Sequence, residues 1–302
     1  SELIESILMG IPIPLMYLFE DKNGKKQVVD GRQRISAILD FLEGKFKLNN
    51  LRILKQFNGC CFADLDLKQQ GVIEDFQLLF YIIQPPTPER VKYDIFDRVN
   101  RGGTPLNKQE MRNALYRGRC TRMLDKLCCS PEFLIATGRS INKERMKDQY
   151  VVLRAMAFLM LHRGEFKDIP ALQYRGDIDD FLARFMVYVN DNAPEKLIVD
   201  YENLFIRCMQ ISYDLLGENG FRFSGNGIRR PINMPLFEAL SYLFSFVPEK
   251  IDYTWASRLI LDIESVKEEF DDSRYFSGNI DSTTSVSFRF DRMDKIINRI
   301  QL

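Results

Sequence analysis

The chain has 302 residues, 45% of them hydrophobic, and its 42 lysines and arginines balance 42 aspartates and glutamates. Such a chain can bury the core of one large domain or two ordinary ones. The balanced charge excludes a whole-molecule field that would attract nucleic acid or a membrane. The longest apolar run, 151–161, contains Arg154 and is far shorter than the roughly 20 residues that span a bilayer, so it predicts a buried helix. No leader peptide pattern opens the sequence, and we expect a cytoplasmic protein.

Cysteine and histidine are too few for a conventional metal site. The six cysteines form no CxxC pair, and His162 is the single histidine. Zinc is therefore disfavoured, and we interpret the cysteines as reduced side chains. His162 lies at the expected end of a helix. A histidine at this position is more often a C-terminal cap favoured by the helix dipole than a catalytic residue. Histidine-dependent nuclease sites are disfavoured, so we expect that the chain is not a nuclease by itself.

The N-terminal third mixes strand and helix patterns. Apolar residues at helical spacing predict a helix over 3–8, and a strand is predicted over 13–19. Asn23-Gly24 is a strong hairpin signal, so the strand at 27–29 is expected to return antiparallel to the first. The apolar spacing that follows predicts a helix over 32–43.

One more strand and two helices are predicted before residue 118. The run at 76–83 is typical of a buried strand, and Pro85-Pro86 close it. A helix is predicted over 87–103, and a second one, capped by Asn107, over 107–118.

Helical periodicity dominates beyond Cys120, and strand patterns almost vanish. Glycine- and serine-rich stretches at 224–233 and 277–287 indicate surface loops. We therefore predict an α+β chain with a mixed α/β domain over 1–118 and a mainly α-helical domain over 119–302.

The stretch "VVDGRQRISAIL", residues 28–39, places a glycine and two arginines where a strand turns into a helix. A helix start has unpaired N–H groups and partial positive charge, and Arg32 and Arg34 add planar donors for phosphate oxygens. Asp30 would repel a phosphate directly. It fits better as a water-orienting base, as a partner that fixes one arginine, or as an indirect ligand of Mg²⁺. The alternative is that Asp30 caps the helix and the arginines are solvated.

A second candidate segment, 96–118, has the same glycine and arginine character. Asn100 precedes Gly102-Gly103 and Thr104, which indicates a tight loop with exposed donors. An asparagine carbonyl can ligate Mg²⁺ or orient a water, and Thr104 can donate to phosphate. The alternative is an ordinary turn between helices, with Asn107 as the cap of the second helix.

Three stretches taken together resemble the N-terminal domain family of GmrSD-type, modification-dependent restriction systems. They are "LIESILMGIPIPLMYL", "VVDGRQRISAI" and "IFDRVNRGGTPLNKQEMRNALYRG". The family's Asp-Gly-Gln-Gln-Arg box corresponds to 30–34, with Arg32 in place of the usual first glutamine. Its Asn-x-Gly-Gly-x-x-Leu pattern matches Asn100, Gly102, Gly103 and Leu106.

The resemblance implies a ParB/sulfiredoxin-like fold for 1–118, without the strand that usually opens the family, and a bound nucleoside triphosphate with Mg²⁺. By this resemblance Asp30 and Arg34 are expected to be catalytic, and Asp30 and Asn100 to contact the metal. The residues expected to bind the nucleotide are Gly31, Arg32, Gln33, Arg34, Asn100, Gly102, Gly103 and Thr104. The implied function is NTP hydrolysis in a prokaryotic restriction or phage-defence system.

The residues leave two alternatives open. One is a nucleic-acid binding module without turnover, carried by local arginines. Those arginines are Arg112, Arg117, Arg119, Arg229 and Arg230, with Arg122 close by. The other is a degenerate scaffold, because Arg32 departs from the box. The expected partners are a nucleoside triphosphate, DNA and a separate nuclease subunit, and no membrane.

Overall fold

The computed structural model describes residues 1–20, 24–84, 106–224, 229–248 and 253–300. Its contacts group the chain into unit 1, Ser1–Leu106, and unit 2, Asn107–Leu302. This division lies about a dozen residues before the boundary predicted at 118. The helix at Lys108–Leu115 groups with unit 2 because it packs against the helix at Lys147–His162. The predicted α+β organisation, with a small sheet followed by a helical region, is confirmed.

Unit 1 contains three helices in its described part, α1 (Glu2–Leu8), α2 (Arg32–Leu42) and α3 (Leu67–Glu74). The first two confirm the helices predicted from apolar spacing. The helices bury one side in a common apolar core, since transfer of these side chains from water is favourable. The buried members of that core are Ile4, Ile7, Ile38, Phe41, Leu48, Leu51, Leu65 and Ile73.

Three strands form the sheet of unit 1 in the order β2-β1-β3. The strand β1 (Met16–Glu20) pairs antiparallel with β2 (Lys26–Asp30), which confirms the predicted hairpin, and parallel with β3 (Phe80–Ile83). The prediction of a buried strand over 76–83 is wrong in length and in burial. In the described residues β3 pairs only with β1, and of its four residues only Ile83 is buried. The helix predicted over 87–103 lies outside the described residues.

A β-bulge interrupts the pairing of β1 and β2. Tyr17 lies opposite Asp30, whereas Leu18 lies opposite Val28, so Val29 is the extra residue. A bulge bends the strand and changes the direction in which the following side chain points. The bulge therefore lies one residue before the acid of the 30–34 box.

Unit 2 is helical throughout its described part, as predicted. Its helices are α4 (Lys108–Leu115), α5 (Arg119–Cys128), α6 (Pro131–Ala136), α7 (Lys147–His162), α8 (Ile178–Asp191), α9 (Glu195–Leu216), α10 (Met234–Phe244), α11 (Tyr253–Asp272) and α12 (Thr283–Ile300). The prediction of a buried helix is confirmed by α7, since every residue from 151 to 160 is buried. No helix among the described residues is long and apolar enough to cross a membrane.

The loop predicted over 277–287 is wrong from Thr283 onward, where α12 begins. Ser282 accepts a hydrogen bond from the backbone N–H of Ser285, which is the arrangement of a helix cap. Val286, Phe290 and Met293 then bury one stripe of the helix. Tertiary packing therefore outweighs the loop-like composition of this stretch. In the other predicted loop, 224–233, residues 225–228 lie outside the described residues, and the others belong to no helix or strand.

His162 ends α7 as predicted, but a charge on its ring is not the reason. The imidazole stacks on Phe290 with ring centroids 3.6 Å apart and an interplanar angle of 8°. Burial, with the nearby positive charge of Arg289, lowers the pKa of His162 to about 4. The ring is therefore neutral near pH 7, and the interpretation based on the helix dipole is wrong. The six cysteines are free.

Candidate functional site

Gly31 makes the junction between β2 and α2. It is the N-cap residue of α2, with φ 98° and ψ 3°, a left-handed conformation that favours glycine. A Cβ at this position would lie 2.5 Å from Cγ and 2.6 Å from Sδ of Met16, which is buried in β1. The absence of a side chain therefore lets the helix start directly against the sheet.

The N-terminus of α2 has no side-chain cap. The N–H of Ile35 donates to the carbonyl of Gly31 over 2.8 Å, so the N–H groups before it have no partner within the helix. Asp30 does not cap the helix, and the alternative that assigned it this role is wrong. The uncapped N–H groups and the helix dipole give this end the character of an anion site.

Asp30 instead forms an ion pair with Arg34. Nη2 of Arg34 donates to Oδ2 of Asp30, and Nη1 donates to the carbonyl oxygen of Pro14 over 2.5 Å. The Arg34 and Asp30 side chains are 23% and 26% exposed. Three roles were considered for Asp30, and the structure shows one of them, since Asp30 holds the side chain of Arg34 in place. Arg32 and Gln33 are exposed and form no side-chain hydrogen bond or ion pair with the described residues.

The second predicted segment lies mostly beyond the described residues. Asn100, Gly102, Gly103 and Thr104 all fall in the gap at 85–105, so nothing places them beside the 30–34 box. Asn107 follows that gap and caps α4 as predicted. Its Oδ1 accepts hydrogen bonds from the N–H groups at positions 109 and 110, at 2.8 and 2.9 Å.

Arg112, one of the predicted nucleic-acid contacts, is fully buried in unit 2. Its Nη1 donates to Oδ1 of Asp179 over 2.8 Å, and its Nε donates to Oε1 of Gln109 over 3.0 Å. Its guanidinium carbon also lies 5.1 Å from the ring centroid of Tyr150. A side chain without exposed surface cannot contact a nucleic acid, so the structure contradicts this assignment.

Three other predicted arginines are paired with carboxylates. Arg119 lies 2.8 Å from Glu195, and Arg229 lies 2.7 Å from Glu218. Arg230 forms an ion pair with Asp271.

The two remaining arginines are exposed. Arg117 and Arg122 make no ion pair with any other described residue. Of the arginines considered for nucleic-acid binding, only these two are exposed without an ion pair to another described residue, which weakens the support for a nucleic-acid interface.

A buried ion network in unit 2 was missed by sequence reasoning. Arg154 and Arg289 both contact Glu238, which has no exposed surface, and Nη2 of Arg289 lies 3.2 Å from Oε2 of Glu238. Arg154 also contacts Asp281, with Nη2 2.6 Å from Oδ1. The available signal was a charged residue inside each apolar helix, at Arg154 in α7 and Glu238 in α10. Arg154, Glu238 and the segment with Asp281 and Arg289 are far apart in the sequence, so nothing in it indicated that they meet.

Comparison with known proteins finds a family match for the first part of the chain. Residues 1–117 match the family described as "GmrSD restriction endonuclease, N-terminal domain". No curated protein and no solved structure gives a significant match. The family match indicates a component of a restriction-type system. The ParB/sulfiredoxin-like fold expected for this part of the chain stays a prediction.

Proposed function

We propose, on the premise that residues 1–117 belong to the GmrSD restriction endonuclease N-terminal domain family, that unit 1 binds and hydrolyses a nucleoside triphosphate with Mg²⁺. The activity would serve a prokaryotic restriction or phage-defence system. The observation that carries the proposal is the uncapped start of α2 beside an arginine held by Asp30 and Pro14.

Arg34 is the residue best prepared to bind phosphate. A guanidinium has five N–H donors, and the contacts with Asp30 and Pro14 use two of them. Because the side chain is already held, less conformational entropy is lost when a ligand binds. The backbone N–H groups at the start of α2 add further donors, and Arg32 supplies a second positive charge from an exposed position.

The carboxylate of Asp30 fits the metal chemistry of such a site. Oδ2 is engaged by Arg34, and Oδ1 makes no hydrogen bond or ion pair with the described residues. Mg²⁺ is usually held by one or two carboxylates together with substrate phosphates. In the part of the chain that is described, no group of three acidic, cysteine or histidine side chains could hold a metal. We therefore propose that Mg²⁺ arrives with the nucleotide, and that Asn100 is its other protein ligand.

DNA cleavage in the system is assigned to another polypeptide or domain. His162, the single histidine of the 302-residue sequence, is stacked on Phe290. Its Nε2 is buried without a hydrogen-bond partner among the described residues. This nitrogen is therefore not accessible as a general base or acid. DNA remains a proposed partner of the system, and the contact is not assigned to the arginines of unit 2 that are already paired.

Calorimetric titration with ATP, GTP, CTP and UTP in the presence of Mg²⁺ tests the binding. We expect Arg34→Ala to weaken nucleotide binding about 10- to 100-fold, because charge-assisted hydrogen bonds to phosphate are lost. Arg52→Ala is the matched control, since Arg52 is an exposed arginine of the same unit that forms no ion pair with the described residues. Equal affinities of the wild type and Arg34→Ala would remove the box from the site.

Phosphate release by the wild type, Asp30→Ala and Asp30→Asn tests the turnover. We expect both variants to lose most of the release. Asp30→Asn keeps an acceptor for Arg34 and should retain more nucleotide affinity than Asp30→Ala. Unchanged release in Asp30→Ala would contradict the role of Asp30 in hydrolysis. A wild type that binds nucleotide without releasing phosphate would identify a binding module, and one that binds none would identify a degenerate scaffold.

A further inference from the structure

Two tyrosines share a row of the sheet with Asp30. Tyr17 on the central strand lies opposite Asp30 of β2 and also opposite Tyr81 of β3. Directly opposed residues of neighbouring strands place their side chains on the same face. Without the bulge at Val29, Asp30 would share the face of Val28, which lies opposite Leu18. The bulge therefore brings Asp30 to the tyrosine face.

The outer member of this row is open to solvent. Tyr81 is 59% exposed, and its ring centroid lies 6.0 Å from that of Tyr17, with an angle of 51° between the rings. Tyr17 is half-buried and supports Tyr81 from the central strand. An exposed aromatic ring that rests on a second ring is held in position, so little freedom is lost when a flat ligand stacks on it.

The row begins at the ion pair that we propose as the phosphate site. Asp30 is the last residue of β2, and α2 starts two residues later. Neighbouring strands are about 4.8 Å apart, so the backbone of Tyr81 lies about 10 Å from that of Asp30. A ribose leaves a comparable separation between a nucleobase and the phosphates attached to it. One triphosphate can therefore reach both ends of the row.

We propose that Tyr81, supported by Tyr17, stacks on the base of the nucleoside triphosphate whose phosphates lie at the start of α2. The inference rests on the proposed function and adds the base-binding part of the same site. Every nucleobase has a π-face, and stacking on an aromatic ring discriminates weakly between bases. ATP, GTP, CTP and UTP are therefore expected to bind with similar affinities.

Titration of the protein with ATP and with inorganic tripolyphosphate, each with Mg²⁺, separates the base from the phosphates. We expect Tyr81→Ala to weaken ATP binding about 5- to 30-fold, within the range of one stacked base, and to leave tripolyphosphate binding unchanged. Tyr81→Phe keeps the ring and should stay within about twofold of the wild type. Tyr253→Ala is the matched control, because Tyr253 is an exposed tyrosine of unit 2.

A fluorescence measurement gives a second, independent readout. In Tyr81→Trp, stacking should quench the emission when ATP is added, whereas tripolyphosphate should leave it unchanged. Unchanged ATP affinity in Tyr81→Ala, with weaker binding in Arg34→Ala, would overturn this inference and leave the proposed function intact. A wild type that binds neither ligand would overturn both. Equal losses for ATP and tripolyphosphate in Tyr81→Ala would also contradict stacking, since tripolyphosphate has no base.

Discussion

Unit 1 and unit 2 each use arginine–carboxylate pairs, and the two pairs differ in exposure. Asp30 and Arg34 keep about a quarter of their side-chain surface in contact with solvent. The Arg154 side chain is 1% exposed, and the side chains of Arg289 and Glu238 are 0% exposed. A partly exposed pair can share its donors with an incoming anion. A buried pair cannot, because moving either partner leaves an uncompensated charge in the core.

The largest effect is expected where the buried pairing is broken. Glu238→Gln removes the carboxylate that both buried arginines contact, and we expect a loss of about 3–5 kcal/mol in the free energy of unfolding. Urea unfolding followed by circular dichroism measures it. Glu268→Gln is the control, since Glu268 is exposed on α11. This substitution should lower the free energy of unfolding by less than about 0.5 kcal/mol. If the two variants were equally stable, the network would be a surface-like pairing and the contrast between the units would disappear.

An intermediate effect is expected at the junction of unit 1. In Gly31→Ala the new Cβ meets Met16 and the backbone is held at φ 98°, so we expect a loss of about 2–4 kcal/mol and weaker nucleotide binding. Gly44→Ala is the matched control. Gly44 also has a positive φ, 71°, but a Cβ added there would have no atom within 4 Å. We therefore expect Gly44→Ala to lose only about 1 kcal/mol in the free energy of unfolding. Thermal unfolding of both variants measures the difference. Equal losses would show that the contact with Met16 does not constrain the helix start.

The smallest effect is a pH dependence in unit 2. Burial lowers the pKa of His162 from 6.5 to about 4, so the unfolded chain binds a proton before the folded one does. The stability from the neutral ring is complete above pH 6.5 and is lost as the pH falls towards 4. His162→Phe keeps a ring on Phe290 but has no group that titrates. Between pH 7.5 and 5 its free energy of unfolding should fall by about 1–2 kcal/mol less than that of the wild type. Urea midpoints across this range measure it, and parallel curves would contradict the assignment.

The helix and hairpin around the box could be predicted because their signals are local. Gly31, the apolar spacing of α2 and the hairpin signal of the Asn23-Gly24 dipeptide all act within a few residues. The same holds for the cap at Asn107, whose partners are two and three residues away. The pairing of Asp30 with Arg34 was one of three roles considered, and it too spans only one helical turn.

The rest depended on contacts between distant residues. The row that joins Asp30 to Tyr81 requires the register of three strands and a bulge, neither of which the sequence expresses. The meeting of Arg154 with Glu238 joins residues of two helices separated by more than 80 positions. The exposure of β3 was missed because an apolar strand has the same composition at the edge of a sheet as at its centre.

The bulge at Val29 also determines where this protein can change in length. The connection between β1 and β2 can gain or lose residues with little effect, because hairpin loops accept insertions and deletions. Deleting Val29 would restore regular alternation and turn Asp30 to the opposite face of the sheet. The residue is an ordinary valine and contributes no functional group, yet the chain length at this point sets the direction of the acid that holds Arg34. In relatives of this domain, the number of residues between the turn and the box should therefore vary less than the length of the turn itself.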